Sequence, residues 1–315
     1  MKKKKKNIIS IYLEDWLFLS LDGIARLLPL DICYRLATFV AGIVYRLDAR
    51  HRKRVIQHLM HAGIAKDRQQ AIAMAKRNFV HFAKFAVEFA KTSQIVTPGN
   101  IGEHVKFSGS EKSKDLFFSP GKSSQVIIIT SHMGNWELAG MIYTIFSGLP
   151  LLSVMRPFDN PRISARINSR RERLNHSVCP KTGALKSLYV ALKKGSSISI
   201  VADQHAGSSE GVETVFFGHP ARTHASPAIL HLRTGIPILV GATVKEADGF
   251  KYNVILSDPI IYKPTKDKAG DISAVAQLYT TEIEKTVAGY PEQWMWAHRR
   301  WLDINRERKQ VTGNQ

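Results

Sequence analysis

His132 and Glu137 stand five residues apart in VIIITSHMGNWE, residues 126–137. An imidazole near neutral pH can take the proton of an alcohol as that alcohol attacks a carbonyl. A carboxylate on the other ring nitrogen fixes the tautomer and stabilises the imidazolium. On a regular helix this spacing would not pair the two, since neighbours lie at i+3 and i+4. It becomes workable if His132 precedes a helix and Glu137 falls in its first turn, a break that suits the Gly134-Asn135 step. The alternative is a strand-end histidine beside an acid that merely answers a helix dipole. The chain has no GxSxG elbow and no cysteine in this region, so the nucleophile implied is a hydroxyl of the substrate. HEXXH is absent too, and one His with one Glu is too few for zinc.

Two other stretches place polar groups where apolar runs stop. Arg156 in MRPFDNPRI follows one such run and precedes a proline. Its guanidinium could clamp a phosphate, stabilise an oxyanion, or simply lie on the surface. Asp203 and Gln204 in ADQHAG end another run that should be buried, and polar groups there need partners, unless Asp203 only forms an Asx-type turn.

The elements that would position these residues alternate. SQVIIIT, LPLLSVM, SSISIVADQ, IPILVGATVK and KYNVILSDPI read as strands. WELAGMIYTIF, PRISARINSRRERLN, GALKSLYVALKKG and SPAILHLRTG read as helices, with glycine stops in the last two. A long C-terminal helix from DISAVAQ onward breaks near Tyr290-Pro291. TPGN and SPGKSS punctuate turns around a short extended segment. This order predicts an α/β fold with a mixed, mostly parallel sheet flanked by helices. Active sites of open α/β sheets gather at the carboxyl ends of strands, which is where His132, Arg156 and Asp203 fall.

Before residue 96 the chain reads as helical throughout, giving an N-terminal helical segment, 1–95, and an α/β domain, 96–310. Residues 66–92 carry apolar side chains at helical spacing. A lysine run, Lys2–Lys6, and the cluster Arg50-His51-Arg52-Lys53-Arg54 bracket an apolar stretch that includes Trp16, Leu17, Phe18, Leu19, Leu21, Ile24, Leu27 and Leu28. Glu14, Asp15 and Asp22 break it, so it reads as neither a signal peptide nor a span of about 20 apolar residues. It suits helices lying in the interface of an anionic membrane, or a helical hairpin packed on the protein's own core. The formal net charge of +19 points to polyanionic partners, and the absence of zinc-finger, RNP-like or basic-heptad patterns argues against nucleic acid. Cys33 and Cys179 lie far apart and suggest neither a disulfide framework nor a metal site.

SHMGNWE resembles the HX4E form of the glycerolipid acyltransferase HX4(D/E) motif. HMGNWE, MRPFDNPRI, ADQHAG, VFFGHPART and YPEQWMWAHRRW also follow the order seen in the bacterial lipid A late acyltransferases. That resemblance implies a glycerolipid-acyltransferase-like fold, with His132 as general base and Glu137 as its orienting acid. Arg156 would bind a phosphate or pantetheine-side group, or help hold the tetrahedral intermediate. Asp203 would support the site beside Gln204, with Asn135 a further candidate for the same pocket. FFGHPART would line the acyl or headgroup pocket, and Arg299 and Arg300 would lie near anionic headgroups. The implied reaction moves a fatty acyl group from an acyl carrier protein thioester, the co-substrate, to a hydroxyacyl chain of a phosphorylated Kdo-lipid A precursor. It needs no metal or redox cofactor, and takes place at the cytoplasmic face of the bacterial inner membrane. Two alternatives fit the same residues: an acyl-CoA-dependent transferase acting on a phosphatidylinositol mannoside or aminolipid, and a non-catalytic basic scaffold that binds membrane or nucleic acid.

Overall fold

The computed structural model describes residues 7–118, 125–172, 174–246 and 249–301. The lysine run Lys2–Lys6 and the SPGKSS turn lie outside them. Four helices come first: α1 (Ile8–Leu27), α2 (Leu30–Leu47), α3 (Ala49–His61) and α4 (Arg68–Ile95). A short α5 (Ile101–His104), β1 (Val105–Ser108) and α6 (Glu111–Phe118) lead into the alternating part. There follow β2 (Ile127–Thr130), α7 (Trp136–Ser147), β3 (Leu151–Met155), α8 (Pro161–Arg171), β4 (His176–Pro180), α9 (Ala184–Lys193) and β5 (Ser197–Val201). A hairpin, β6 (Gly211–Phe216) and β7 (His219–His224), precedes α10 (Ser226–Thr234), β8 (Ile238–Lys245), β9 (Tyr252–Leu256) and α11 (Lys268–Gly289).

Seven strands form one sheet in the order β1-β9-β8-β2-β5-β3-β4. Every neighbouring pair is parallel except β8 with β9. The β-branched runs are continuous because both faces are covered, as parallel sheets require. Ile127 and Ile129 join one core cluster while Ile128 packs on the other. Along β8, Ile238, Val240, Ala242 and Val244 face the first cluster and Leu239 the second. Successive strand side chains point to opposite faces, so each strand serves two layers of helices.

The acids that interrupt the apolar stretch of α1 are turned inward. Asp15 is buried and accepts from Arg162 Nε (2.7 Å) and Arg166 Nε (2.8 Å) of α8, which hold its carboxyl down to about 2. Asp22 accepts from Arg26 (3.0 Å) and from Arg170 of α8 (2.6 Å). With the polar side docked on α8, the apolar side faces out: Trp16 is 70% exposed, and Phe39 of α2 is 69% exposed. Among the described residues, no helix is long and apolar enough to cross a membrane. A buried carboxylate, Glu88 of α4, ties the N-terminal helices to the sheet. It accepts from Tyr34 of α2 (2.8 Å), Lys245 of β8 (2.5 Å) and Tyr252 of β9 (2.5 Å).

Three departures from the sequence reading have local causes. The helix at PRISARINSRRERLN stops at Arg171, because Leu174 and Asn175 take positive φ and the chain enters β4, a strand not anticipated. VFFGHPART forms the β6–β7 hairpin, whose two-residue turn, Phe217-Gly218, has positive φ at both positions as such tight turns demand. Among the described residues beyond Tyr290, up to Trp301, one 3₁₀ turn (Pro291–Gln293) forms. The WMWAHRRW stretch then runs as an irregular strap, with Trp294, Trp296 and Trp301 buried.

Candidate active site

Strand register builds the site. Thr130 at the end of β2 pairs with Val201 at the end of β5, and two residues past each stand His132 and Asp203. The sheet itself therefore sets the imidazole against the carboxylate. His132 Nδ1 lies 2.8 Å from Asp203 Oδ1, and the His132 backbone N–H donates to Oδ2 at 2.8 Å. The indole N–H of Trp294 donates to the same Oδ2 at 2.8 Å. Asp203 is 2% exposed, and burial by itself would raise its pKa. The charge of His132 and its two hydrogen bonds outweigh that and hold the carboxyl down to about 2. An ionised carboxylate only accepts, so His132 presents an Nδ1–H to it and Nε2 is the ring nitrogen turned away from Asp203.

The Gln204 amide nitrogen lies 3.3 Å from His132 Nε2 and 3.4 Å from Nδ1, so it sits against the ring between the two nitrogens, and it donates to His298 Nε2 at 3.0 Å. Burial, then the neighbouring charge of His132, lowers His298 to about 4, so it is neutral at pH 7. The two imidazole centroids are 4.9 Å apart.

The loop carrying His132 is pinned on both sides. Gly134 N donates to Gln293 O (3.0 Å), Asn135 N to Thr243 O (2.7 Å) and Met295 N to His132 O (3.0 Å). Gly134 has φ +56°, and a Cβ there would come within 1.9 Å of Thr243 O, so the loop accepts only glycine at this position.

Several expected roles change. Glu137 does lie in the first turn of α7, but its carboxylate is held by Arg171 of α8, through Nε (2.7 Å) and Nη2. The acid on His132 is Asp203, because the register of β2 and β5 brings it there while the helix turns Glu137 towards α8. Asn135 is fully buried: its Oδ1 caps α7 through Leu138 N (3.0 Å), and its Nδ2 donates to Tyr252 (3.2 Å). It shapes the loop instead of facing a substrate. Arg300 is 1% exposed, donating to Thr223 Oγ1 (2.7 Å) and to the carbonyls of Arg222 (3.0 Å) and Gln204 (3.4 Å). Burial drops its pKa to about 10. It is a strut beneath Gln204, not a headgroup contact. Arg299 is exposed, as is Arg156 at the end of β3, which is separated from β2 by β5. His298 and Trp294 were not singled out from the sequence. Their one signal was a histidine and tryptophans crowded into WMWAHRRW after the helix ends.

An imidazole held by an ionised, buried carboxylate at the carboxyl edge of an α/β sheet, with no protein hydroxyl or thiol as nucleophile in the described site, is an arrangement able to act as a general base. The bacterial lipid A biosynthesis acyltransferase family matches residues 1–303, and the chain belongs to that family. The lipid A biosynthesis lauroyltransferase of Escherichia coli K12 is 24% identical over 291 residues, 92% of each chain. A phosphatidylinositol mannoside acyltransferase of Mycobacterium tuberculosis is 26% identical over 188 residues, 58% of this chain and 57% of that protein's length. Among solved structures, the 1-acyl-sn-glycerophosphate (LPA) acyltransferase PlsC of Thermotoga maritima aligns with 87% of this chain and 100% of that chain. The identity is 13% and the TM-score 0.34, too low to bear on the argument.

Proposed function

We propose that the protein transfers a fatty acyl group from a thioester on acyl carrier protein to a hydroxyacyl chain of a lipid A-type precursor, with His132 as the base. The observation that carries this reading is the Asp203–His132 hydrogen bond, which leaves Nε2 as the proton acceptor. The acceptor hydroxyl gives up its proton to Nε2 as it attacks the thioester carbonyl. Asp203 stabilises the imidazolium that forms. The tetrahedral intermediate collapses to the new ester, and the imidazolium returns its proton to the departing thiolate. No step calls on a metal or redox cofactor. Arg156, exposed beyond β3, is available to the phosphate of the donor's pantetheine arm. The net charge of +19 suits an acidic carrier protein, a phosphorylated glycolipid and an anionic membrane surface at the inner, cytoplasmic leaflet.

The mycobacterial relative favours one alternative, acyl transfer to a phosphatidylinositol mannoside with acyl-CoA as donor. Purified protein offered either donor with either acceptor, with products weighed by mass spectrometry, decides between them. Under both, His132→Ala should lower turnover about 10²–10⁴-fold, the usual contribution of a positioned base. Near-native turnover in that variant would remove His132 from the mechanism.

A further inference from the structure

A cleft of about 370 Å³ lies directly against the His132 site, lined by Arg54, Arg299, His51, Gln204 and His298 among others. Two of these walls touch the base: the Gln204 amide against the His132 ring, and His298 with its ring beside that of His132. The charge of the cleft is one-sided. Arg54 comes from α3, and its Nη1 donates to Ala297 O at 2.9 Å, which fixes the guanidinium at the wall. Arg299 comes from the strap after α11 and is exposed. Among the described residues lining the cleft, none is Asp or Glu. The acid nearest in sequence, Asp48, is already engaged by His51 Nδ1 at 2.6 Å and by its backbone N–H at 3.1 Å. Burial lowers Arg54, and the charges of Arg299 and Arg50 lower it further, with Asp48 opposing them. Guanidinium forks match the oxygens of phosphate in geometry as well as charge.

We propose that this cleft seats a phosphate carried by the acceptor lipid, gripped between Arg54 and Arg299, so that the acceptor hydroxyl is presented to His132. The inference rests on the acyl-transfer reading above and adds to it which substrate enters from this side. A pantetheine thioester keeps its phosphate a full pantetheine arm away from the reacting carbonyl. The cleft begins one side chain from the base. A phosphate on the same sugar headgroup as the reactive acyl chain has the shorter reach, which assigns the cleft to the acceptor and leaves the donor phosphate to Arg156.

The test uses the whole protein in detergent micelles, with a phosphorylated glucosamine-disaccharide lipid and the same lipid after phosphatase treatment. Native protein should bind the phosphorylated form more tightly. Arg54→Gln and Arg299→Gln should each shrink that preference roughly tenfold, the scale of a lost charge-assisted hydrogen bond. KM for the phosphorylated acceptor should rise while KM for the donor does not. Arg54 also anchors the strap, so Arg299→Gln, exposed and outside that anchor, separates grip from folding. Equal affinity of native protein for the two lipids overturns the proposal, as does a rise in donor KM with the lipid preference intact. Failure of native protein to acylate any acceptor would instead remove the acyl-transfer reading, while the binding comparison still reports on the cleft.

Discussion

At the scale of single residues, two carboxylates compete for one histidine, and geometry separates them. Asp203 meets His132 through two hydrogen bonds and is braced by Trp294. Glu137 is committed to Arg171. Removing charge at each should therefore give different phenotypes. Asp203→Asn leaves an amide where the imidazolium needs an anion, and can trap the wrong tautomer. Turnover should fall by about 10²-fold or more with little change in acceptor KM. Glu137→Gln weakens the α7–α8 contact and should cost less in turnover than Asp203→Asn. Steady-state kinetics of the two variants side by side check this, and a Glu137 variant as crippled as the Asp203 one would refute the assignment.

At the scale of elements, α1 is amphipathic in an unusual sense: its acids face the protein. The Asp15 and Asp22 pairs fix α1 onto α8, which leaves Ile9, Leu13 and Trp16 exposed, as are Phe39 and Val40 of α2. Exposed apolar side chains of this kind suit the acyl boundary of an anionic leaflet. A Trp16→Ser/Phe39→Ser double variant should lose most of its sedimentation with phosphatidylglycerol-containing vesicles while keeping its circular dichroism spectrum. Equal sedimentation of native and variant protein would show that the face serves something else.

At the scale of the whole molecule, one buried histidine and three half-buried ones set the acid limit of stability. His58, His81, His176 and His298 are each lowered by burial from 6.5 to about 4. Between those pH values the unfolded chain binds protons that the folded chain refuses, so stability is complete above about 6.5 and falls as pH drops towards 4. A shift of this size is worth about 3 kcal/mol per histidine at the limit. Asp203, lowered to about 2, has the carboxylate sign: its contribution is full above the unfolded value of 3.8 and fades only below it. Thermal unfolding followed from pH 8 to pH 4 should show Tm dropping mainly between 6.5 and 4, with a shallower slope for His58→Gln. A Tm flat across that window would contradict the burial of these rings.

Local pattern carried a good part of this protein. Runs rich in β-branched residues, such as VIIIT and ISIV, read as buried strands, and glycine stops marked the ends of helices such as α10. Polar residues directly after those runs marked His132, Arg156 and Asp203 as strand-end groups. The pairing of His132 with Asp203 was decided by the tertiary structure, because it depends on which strands are neighbours. That choice is made by packing across 71 residues of chain, and no local spacing records it. For the same reason Glu137, the nearer acid in sequence, pairs with Arg171 instead. Arg299 and Arg300, adjacent in sequence, part company when the strap folds, one to a cleft and one into the core. Sequence settled which groups end at the catalytic edge; the sheet order and the strap after α11 settled which of them meet.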